Sequence, residues 1–186
     1  MSVSVLKRLF TVDEYYQMAQ NRILNENDRV ELIEGEIIQM SPINSHHSAE
    51  VNRLLHIFFQ RLGNRTIVSA QNPVRLNDYN EPQPDIALLK PRTDFYAEKH
   101  PAPEDIFLVV EVSDTSRDYD RNVKIPLYAR AGISESWIVN LGQKRIETYR
   151  NPSPQGYEKV EIFSPGQTLS PQAFSELSLS VDEILG

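Results

Sequence analysis

The chain has no cysteine, which removes disulfides, thiolate nucleophiles, iron–sulfur clusters and cysteine-ligated zinc. Zinc could bind only through the four histidines, and the adjacent pair His46 and His47 would point different ways from a helix, a poor two-ligand arrangement. A cap or partner-binding role suits that pair better, with His47 free to point into a cleft. No run approaches the ~18 consecutive apolar residues that span a bilayer, so no membrane association is expected. The segment from Met1 to Phe10 mixes Ser2, Ser4, Lys7 and Arg8 into a short apolar stretch, without the apolar region and small-residue cleavage site of a secretory signal. The expected location is the cytoplasm.

Excess positive charge is missing too. Nineteen Lys plus Arg stand against 26 Asp plus Glu, a formal net charge of -7, the reverse of an architectural DNA binder. An acidic total leaves nucleic acid open as a substrate, because an enzyme needs only a local basic cleft or metal cations on carboxylates. Repeats, low-complexity tracts and long linkers are also absent. What remains is a 186-residue chain that is 40% hydrophobic and 24% charged, ordinary globular usage for one domain with a real core.

Thr11 followed by Glu14 reads as a capping box that opens a helix to about Gln20, ended by a polar loop from Asn21 to Asp28. Two short apolar runs, 29–33 and 36–40, flank Glu34-Gly35 as a hairpin. The apolar positions Val51, Leu54, Leu55, Phe58, Phe59 and Leu62 recur at helical spacing before Gly63, predicting the longest helix over 45–62. Short strands are expected at 66–70, 74–76, 85–89 and 106–112, separated by prolines. A helix over 122–131 must accommodate Pro126 in its first turns or kink. Further strands at 137–139, 145–149 and 159–163 and a terminal helix or turn over 181–185 complete a mixed α+β or α/β domain with a central sheet.

Residues 106–113 form a nearly unbroken apolar strand interrupted by Glu111, and a buried carboxylate is costly unless a cation, hydrogen bonds or a raised pKa compensates. Alternation predicts Phe107, Val109, Glu111 and Ser113 on one side, and Leu108, Val110 and Val112 on the other. Asp85 heads another apolar strand after Pro84. Two carboxylates at the ends of neighbouring strands could share a divalent cation, and oxygen-only ligands favour Mg²⁺ or Mn²⁺. Lys124 on the following helix could orient water or face a phosphate. Glu31, inside another apolar strand, is a candidate fourth member, with Ser113 and Gln83 at the rim. Each has a structural alternative: Asp85 as a strand-entry residue, Glu111 in a buried salt bridge, and Lys124 on a solvated helix face. The mixed-sign run Arg117, Asp118, Asp120, Arg121 and Lys124 reads first as a solvated loop and helix start, and alternatively as a cleft wall.

At these residues the sequence resembles the PD-(D/E)XK, or restriction-endonuclease-like, nuclease superfamily, and more narrowly a bacterial restriction-endonuclease family written Uma-two. The resemblance is carried by Glu31-Leu32-Ile33-Glu34-Gly35-Glu36-Ile37, Met40-Ser41-Pro42 with His47, Pro73-Val74-Arg75-Leu76, Pro84-Asp85-Ile86-Ala87, Val109-Val110-Glu111-Val112-Ser113, Tyr119-Asp120 to Lys124, Tyr128-Ala129-Arg130-Ala131-Gly132, and Trp137-Ile138-Val139. It implies a restriction-endonuclease-like core over 29–150 within one domain, preceded by a helical extension over 1–28 and followed by C-terminal strands and tail over 151–186. It further implies Asp85 and Glu111 as metal ligands, with Glu31 as a possible third. Ser113 stands where the superfamily pattern has lysine; similar families move that lysine to the neighbouring helix, which brings in Lys124. The function so implied is Mg²⁺-dependent hydrolysis of DNA phosphodiester bonds, with Asp85, Glu111 and Lys124 catalytic, His47, Ser113 and Arg121 on the substrate, and a homodimer for double-strand cutting. The alternative is a nuclease-fold module that binds nucleic acid or protein without turnover.

Overall fold

The computed structural model describes residues 6–25, 27–114 and 117–186; the start of the N-terminal stretch and Glu26 of the polar loop lie outside them. Glu14 N–H donates to the Thr11 hydroxyl while Thr11 N–H donates to the Glu14 carboxylate, so the capping box opens α1 (Val12–Gln20). Strands β1 (Val30–Ile33) and β2 (Glu36–Gln39) pair antiparallel around Glu34 and Gly35, both at positive φ. A Cβ on Gly35 would sit 2.7 Å from Leu9 Cβ, so this tight turn takes glycine for space as well as for φ. Helix α2 (Ser45–Leu62) fills the predicted span, capped by the Asn44 side chain and ended at Gly63.

The remaining strands are β3 (Ile67–Ala70), β4 (Ile86–Leu89), β5 (Ile106–Ser113), β6 (Glu135–Asn140), β7 (Arg145–Ser153) and β8 (Gly156–Phe163). They form one sheet in the order β3-β4-β5-β6-β7-β8, antiparallel except for the parallel pair β5–β6. Between β5 and β6 run α3 (Arg117–Tyr119), a π-helical turn (Asp120–Lys124) and α4 (Ile125–Arg130). Beyond β8, the two-residue strands β9 (Thr168–Leu169) and β10 (Leu179–Ser180) pair, and α5 (Val181–Leu185) follows. This is the mixed α/β architecture expected: a central mixed sheet with flanking helices, an N-terminal helix and a hairpin.

Apolar residues cover both faces of the sheet. On one, Leu54 and Phe58 of α2 meet Leu108, Val110, Val112 and Trp137, together with the C-terminal Phe174, Leu179 and Ile184. On the other, Ile125, Leu127 and Tyr128 meet Val109, Ile138 and Ile33. Burying each large side chain contributes about 1.5–3 kcal/mol. Among the described residues no helix is long and apolar enough to cross a membrane.

Three local expectations are corrected. The stretch 74–76 is not a strand: Val74 N–H and Leu76 N–H go to the carbonyls of Pro82 and Asn80, while Arg75 N–H goes to Pro101. Flanking prolines supply acceptors but no donors for a ladder. Phe107 packs against the α2 face rather than beside Val109, because the β4–β5 register shifts there, pairing Leu88 with Leu108 and Leu89 with Ile106. The helix after β5 begins earlier than 122 and contains the π turn. Pro126 has no N–H to return to the carbonyl of Asn122, and Ile125 N–H instead bonds Asp120 C=O five residues back.

Candidate active site

Ile86 pairs with Val110, so Asp85, one residue before β4, comes level with Glu111 near the carboxyl end of β5. Asp85 Oδ2 accepts Val112 N–H at 2.9 Å and lies 3.0 Å from His47 Nε2, while Gln71 Nε2 donates to Oδ1 at 3.2 Å. The first turn of α2 thus delivers His47 onto the sheet end.

The wide π turn brings Asp120 and Lys124 inward together, and both are buried. Lys124 Nζ stands 3.2 Å from Glu31 Oε2, 3.3 Å from Glu111 Oε1 and 3.4 Å from Gln83 C=O. Its three N–H donors therefore have three acceptors. Gln83 N–H fixes Glu31 Oε2 at 3.1 Å, Tyr119 O–H approaches Glu31 Oε1 at 3.5 Å, and Tyr128 O–H donates to Glu111 Oε1 at 2.5 Å. Glu31, Lys124 and Glu111 close over a cleft of about 340 Å³ whose wall also includes Arg29, Pro42, Asn44 and Asp114.

Burial pushes the Glu111 carboxyl well above its ordinary value, and the neighbouring charges of Asp120 and Asp85 add to this against the pull of Lys124 and Tyr128. Burial works against the Lys124 ammonium, but Glu111, Glu31, Asp120 and Asp85 together raise its pKa, so it stays protonated. Burial likewise opposes ionisation of Asp85; the His47 hydrogen bond and charge, Val112 N–H and Lys124 overcome that and hold it low. The Asp85 hydrogen bond in turn raises His47.

Among the described residues the cleft carries five carboxylates against Arg29, Lys124 and the His47 imidazole. This oxygen-rich, anionic donor set fits a hard divalent cation, with Asp85 and Glu111 the two ligands that lie level. Among the described residues no three His, Asp or Glu groups already converge as a ready-made metal cluster; the cation between Glu31 and Glu111 is the ammonium of Lys124.

Asp85, Glu111, Lys124, Glu31 and His47 of the sequence-derived set all line this cleft. Two other members do not reach it. Ser113 is fully buried and its hydroxyl donates to Asp120 at 2.5 Å, so it is no rim residue open to substrate. Arg121 turns to β7, where it pairs with Glu147; the π turn that aims Lys124 inward sends Arg121 along the sheet instead. Asp120, Tyr119 and Tyr128 join the site from outside the sequence-derived set. All three stand in stretches that carry the resemblance, and Asp120 also belongs to the mixed-sign run with its alternative reading as a cleft wall.

The Arg121 contact belongs to a separate buried cluster with a testable acid response. Glu147 Oε2 accepts Tyr149 O–H at 2.7 Å, and Arg145 Nη2 reaches Glu147 Oε1 at 2.8 Å. Burial opposes ionisation of Glu147, but Tyr149, Arg121 and Arg145 hold it below the usual 4.5. The same contact, after burial, pushes Tyr149 up to about 12. A carboxylate with a depressed folded pKa stabilises fully above pH 4.5 and loses that contribution as pH falls through its folded value. Glu147→Gln should therefore lower the denaturation midpoint at pH 7 and flatten its fall below pH 4.5; an acid limb as steep as the wild type's would remove Glu147 from the account.

A family model described as Uma2, putative restriction endonuclease, matches residues 12–182. The chain is also similar to the crystal structure of a putative nuclease belonging to DUF820 from Anabaena variabilis ATCC 29413. The TM-score is 0.72 at 19% identity, covering 95% of this chain and 97% of that one; likeness at this identity speaks to the fold. No curated protein matches the sequence.

Proposed function

This chain belongs to the Uma2 family, and from that premise we propose that it is a divalent-metal-dependent endonuclease hydrolysing phosphodiester bonds of DNA. The observation that carries the reading is the buried Lys124 ammonium between Glu31 and Glu111, beside Asp85 in an anionic cleft. Mg²⁺ or Mn²⁺ held by Asp85 and Glu111 would supply positive charge against a phosphate and lower the pKa of water.

The chain's own residues have distinct tasks. Glu31, fixed by Gln83 N–H, anchors Lys124, a firmer assignment for it than a third metal ligand. Lys124 orients Glu111 and keeps a full positive charge where negative charge would develop on a phosphate. His47 and Gln71 orient the Asp85 carboxylate. Tyr128 is a positioning residue: its hydroxyl holds Glu111 Oε1, leaving Oε2 as the oxygen to offer a cation.

Tyr128→Phe deletes one hydroxyl and keeps the ring in the core. It is expected to weaken Mn²⁺ binding about 10- to 100-fold in calorimetry, with a stability loss of about 1–3 kcal/mol. Unchanged metal affinity would leave the Tyr128 hydroxyl a purely structural role.

A second reading, a nuclease-fold module that binds without turnover, draws on one observation: Asp85 Oδ2 is already committed to His47 and Val112 N–H. The deciding experiment is conversion of supercoiled plasmid and cleavage of single-stranded DNA with Mg²⁺ or Mn²⁺, comparing wild type with Asp85→Ala purified in parallel. Cleavage by the wild type alone supports the nuclease; equal cleavage by both defeats the site assignment, and none by either favours the binding module.

A further inference from the structure

Among the described residues the sheet ends at β8, which pairs with β7 on one side only. Its register against β7 is unbroken from Lys159 to Phe163; the irregularity in the hairpin lies earlier, at Asn151, which has positive φ. No proline interrupts β8. Val160 and Ile162, opposite Tyr149 and Glu147 on one face of the sheet, remain 51% and 52% exposed. A row of unpaired backbone groups is a template for another strand, and proteins ordinarily blunt such an edge with a bulge, a proline or a charge; of these β8 carries charges, Glu158, Lys159 and Glu161.

The charges on this edge form a self-complementary pattern. We propose that β8 pairs antiparallel with β8 of a second copy of this chain, about a twofold axis at Val160, joining two six-stranded sheets into one. In that register Val160 faces its own copy, Lys159 faces Glu161 and Glu161 faces Lys159, while Ile162 lies against the stem of Glu158 on the same face as Val160. Lys159 Nζ and Glu161 Oε2 stand 2.8 Å apart within one strand, and Glu161 Oε2 also lies 3.4 Å from Arg150 of β7, so pairing across the edge would ask Glu161 to share its carboxylate with the partner's lysine. Shifting the axis to Glu161 would set Glu161 against Glu161, and like charges directly opposite disfavour it. The strand thus selects both its occupant and its register: the edge supplies the hydrogen bonds, the exposed valine and isoleucine supply apolar contact, and the charges specify the alignment. This inference stands apart from the nuclease reading, since β8 carries none of the cleft residues.

The test is the oligomeric state of the full chain by size-exclusion chromatography with light scattering. Wild type should run at twice the chain mass. Lys159→Glu sets a new carboxylate against Glu161 at two symmetry-related places and should weaken the dimer about tenfold or more. Glu161→Lys should do the same by opposing lysines. Mixing the two single variants should restore a dimer, because each lysine then meets a glutamate, and the double variant K159E/E161K should dimerise by itself. Lys159 is exposed and Glu161 is half-buried beside Arg150, so far-ultraviolet circular dichroism would verify that each variant keeps its fold. A monomeric wild type at all concentrations, or single variants as dimeric as the wild type, would overturn the proposal.

Discussion

Lys124→Ala should cost about 3–5 kcal/mol of folding stability, the effect of removing one partner from a buried ionic group. Lys124 is only 5% exposed, and Glu31 and Glu111 are buried with it. Without the ammonium, two carboxylates and the Gln83 carbonyl face one another with no cation among them. The sign with pH follows from the raised pKa: Lys124 contributes fully below its ordinary 10.5 and loses that contribution only as pH rises through a still higher folded value. The loss should therefore be complete at pH 7 in guanidinium unfolding of the metal-free protein. Lys124→Met combined with Glu31→Gln and Glu111→Gln removes the stranded charges and should recover most of it. A Lys124→Ala protein within about 0.5 kcal/mol of wild type would place the lysine on a solvated face after all.

Glu111→Gln should separate stability from chemistry. The amide keeps the side-chain volume, and its oxygen still accepts from Tyr128 and Lys124, so the fold should survive with a far smaller loss than Lys124→Ala. The carboxylate charge is gone, however, and a metal's contribution to transition-state stabilisation is several kcal/mol. At about 1.4 kcal/mol per factor of ten, plasmid cleavage should fall about 10²- to 10³-fold or more. Mn²⁺ binding measured by calorimetry on the same variant supplies a readout independent of turnover. Full cleavage with unaltered unfolding would defeat the role assigned to Glu111; equal destabilisation by Glu111→Gln and Lys124→Ala with unchanged cleavage would make the pair a structural ion bridge.

Glu111 is legible in the sequence because a charge inside an apolar strand contradicts its surroundings, and Asp85 because proline sets it at the head of another such strand. Joining Lys124 to them needs the resemblance, since a lysine on a helix ordinarily faces water. Tyr128 stands in a stretch that carries the resemblance, which gives it no site role: on a helix a tyrosine reads as core, and it is core, but its hydroxyl ends on Glu111. Ser113 and Arg121 go the other way. Both stand near the right segment, yet the serine's direction depends on Asp120 across the helix–strand packing, and the arginine's on Glu147, which the β5–β6–β7 register brings onto the face of Glu111.

Sequence alone determined the elements whose signals are local: the Thr11–Glu14 box, the Glu34-Gly35 turn, the apolar stripe of α2, and the apolar run that makes β5 a covered strand. These depend on backbone preference and on periodicity over a few residues, and neighbouring positions carry both. Tertiary structure decided what depends on partners far apart in the chain. It widened the helix at Pro126 into a π turn, turned Lys124 between Glu31 and Glu111, committed Asp85 to His47, buried Ser113, and left β8 at the rim with one side unpaired. Each follows from sheet order and register, and a register sets opposite one another residues whose separation along the chain carries no local mark.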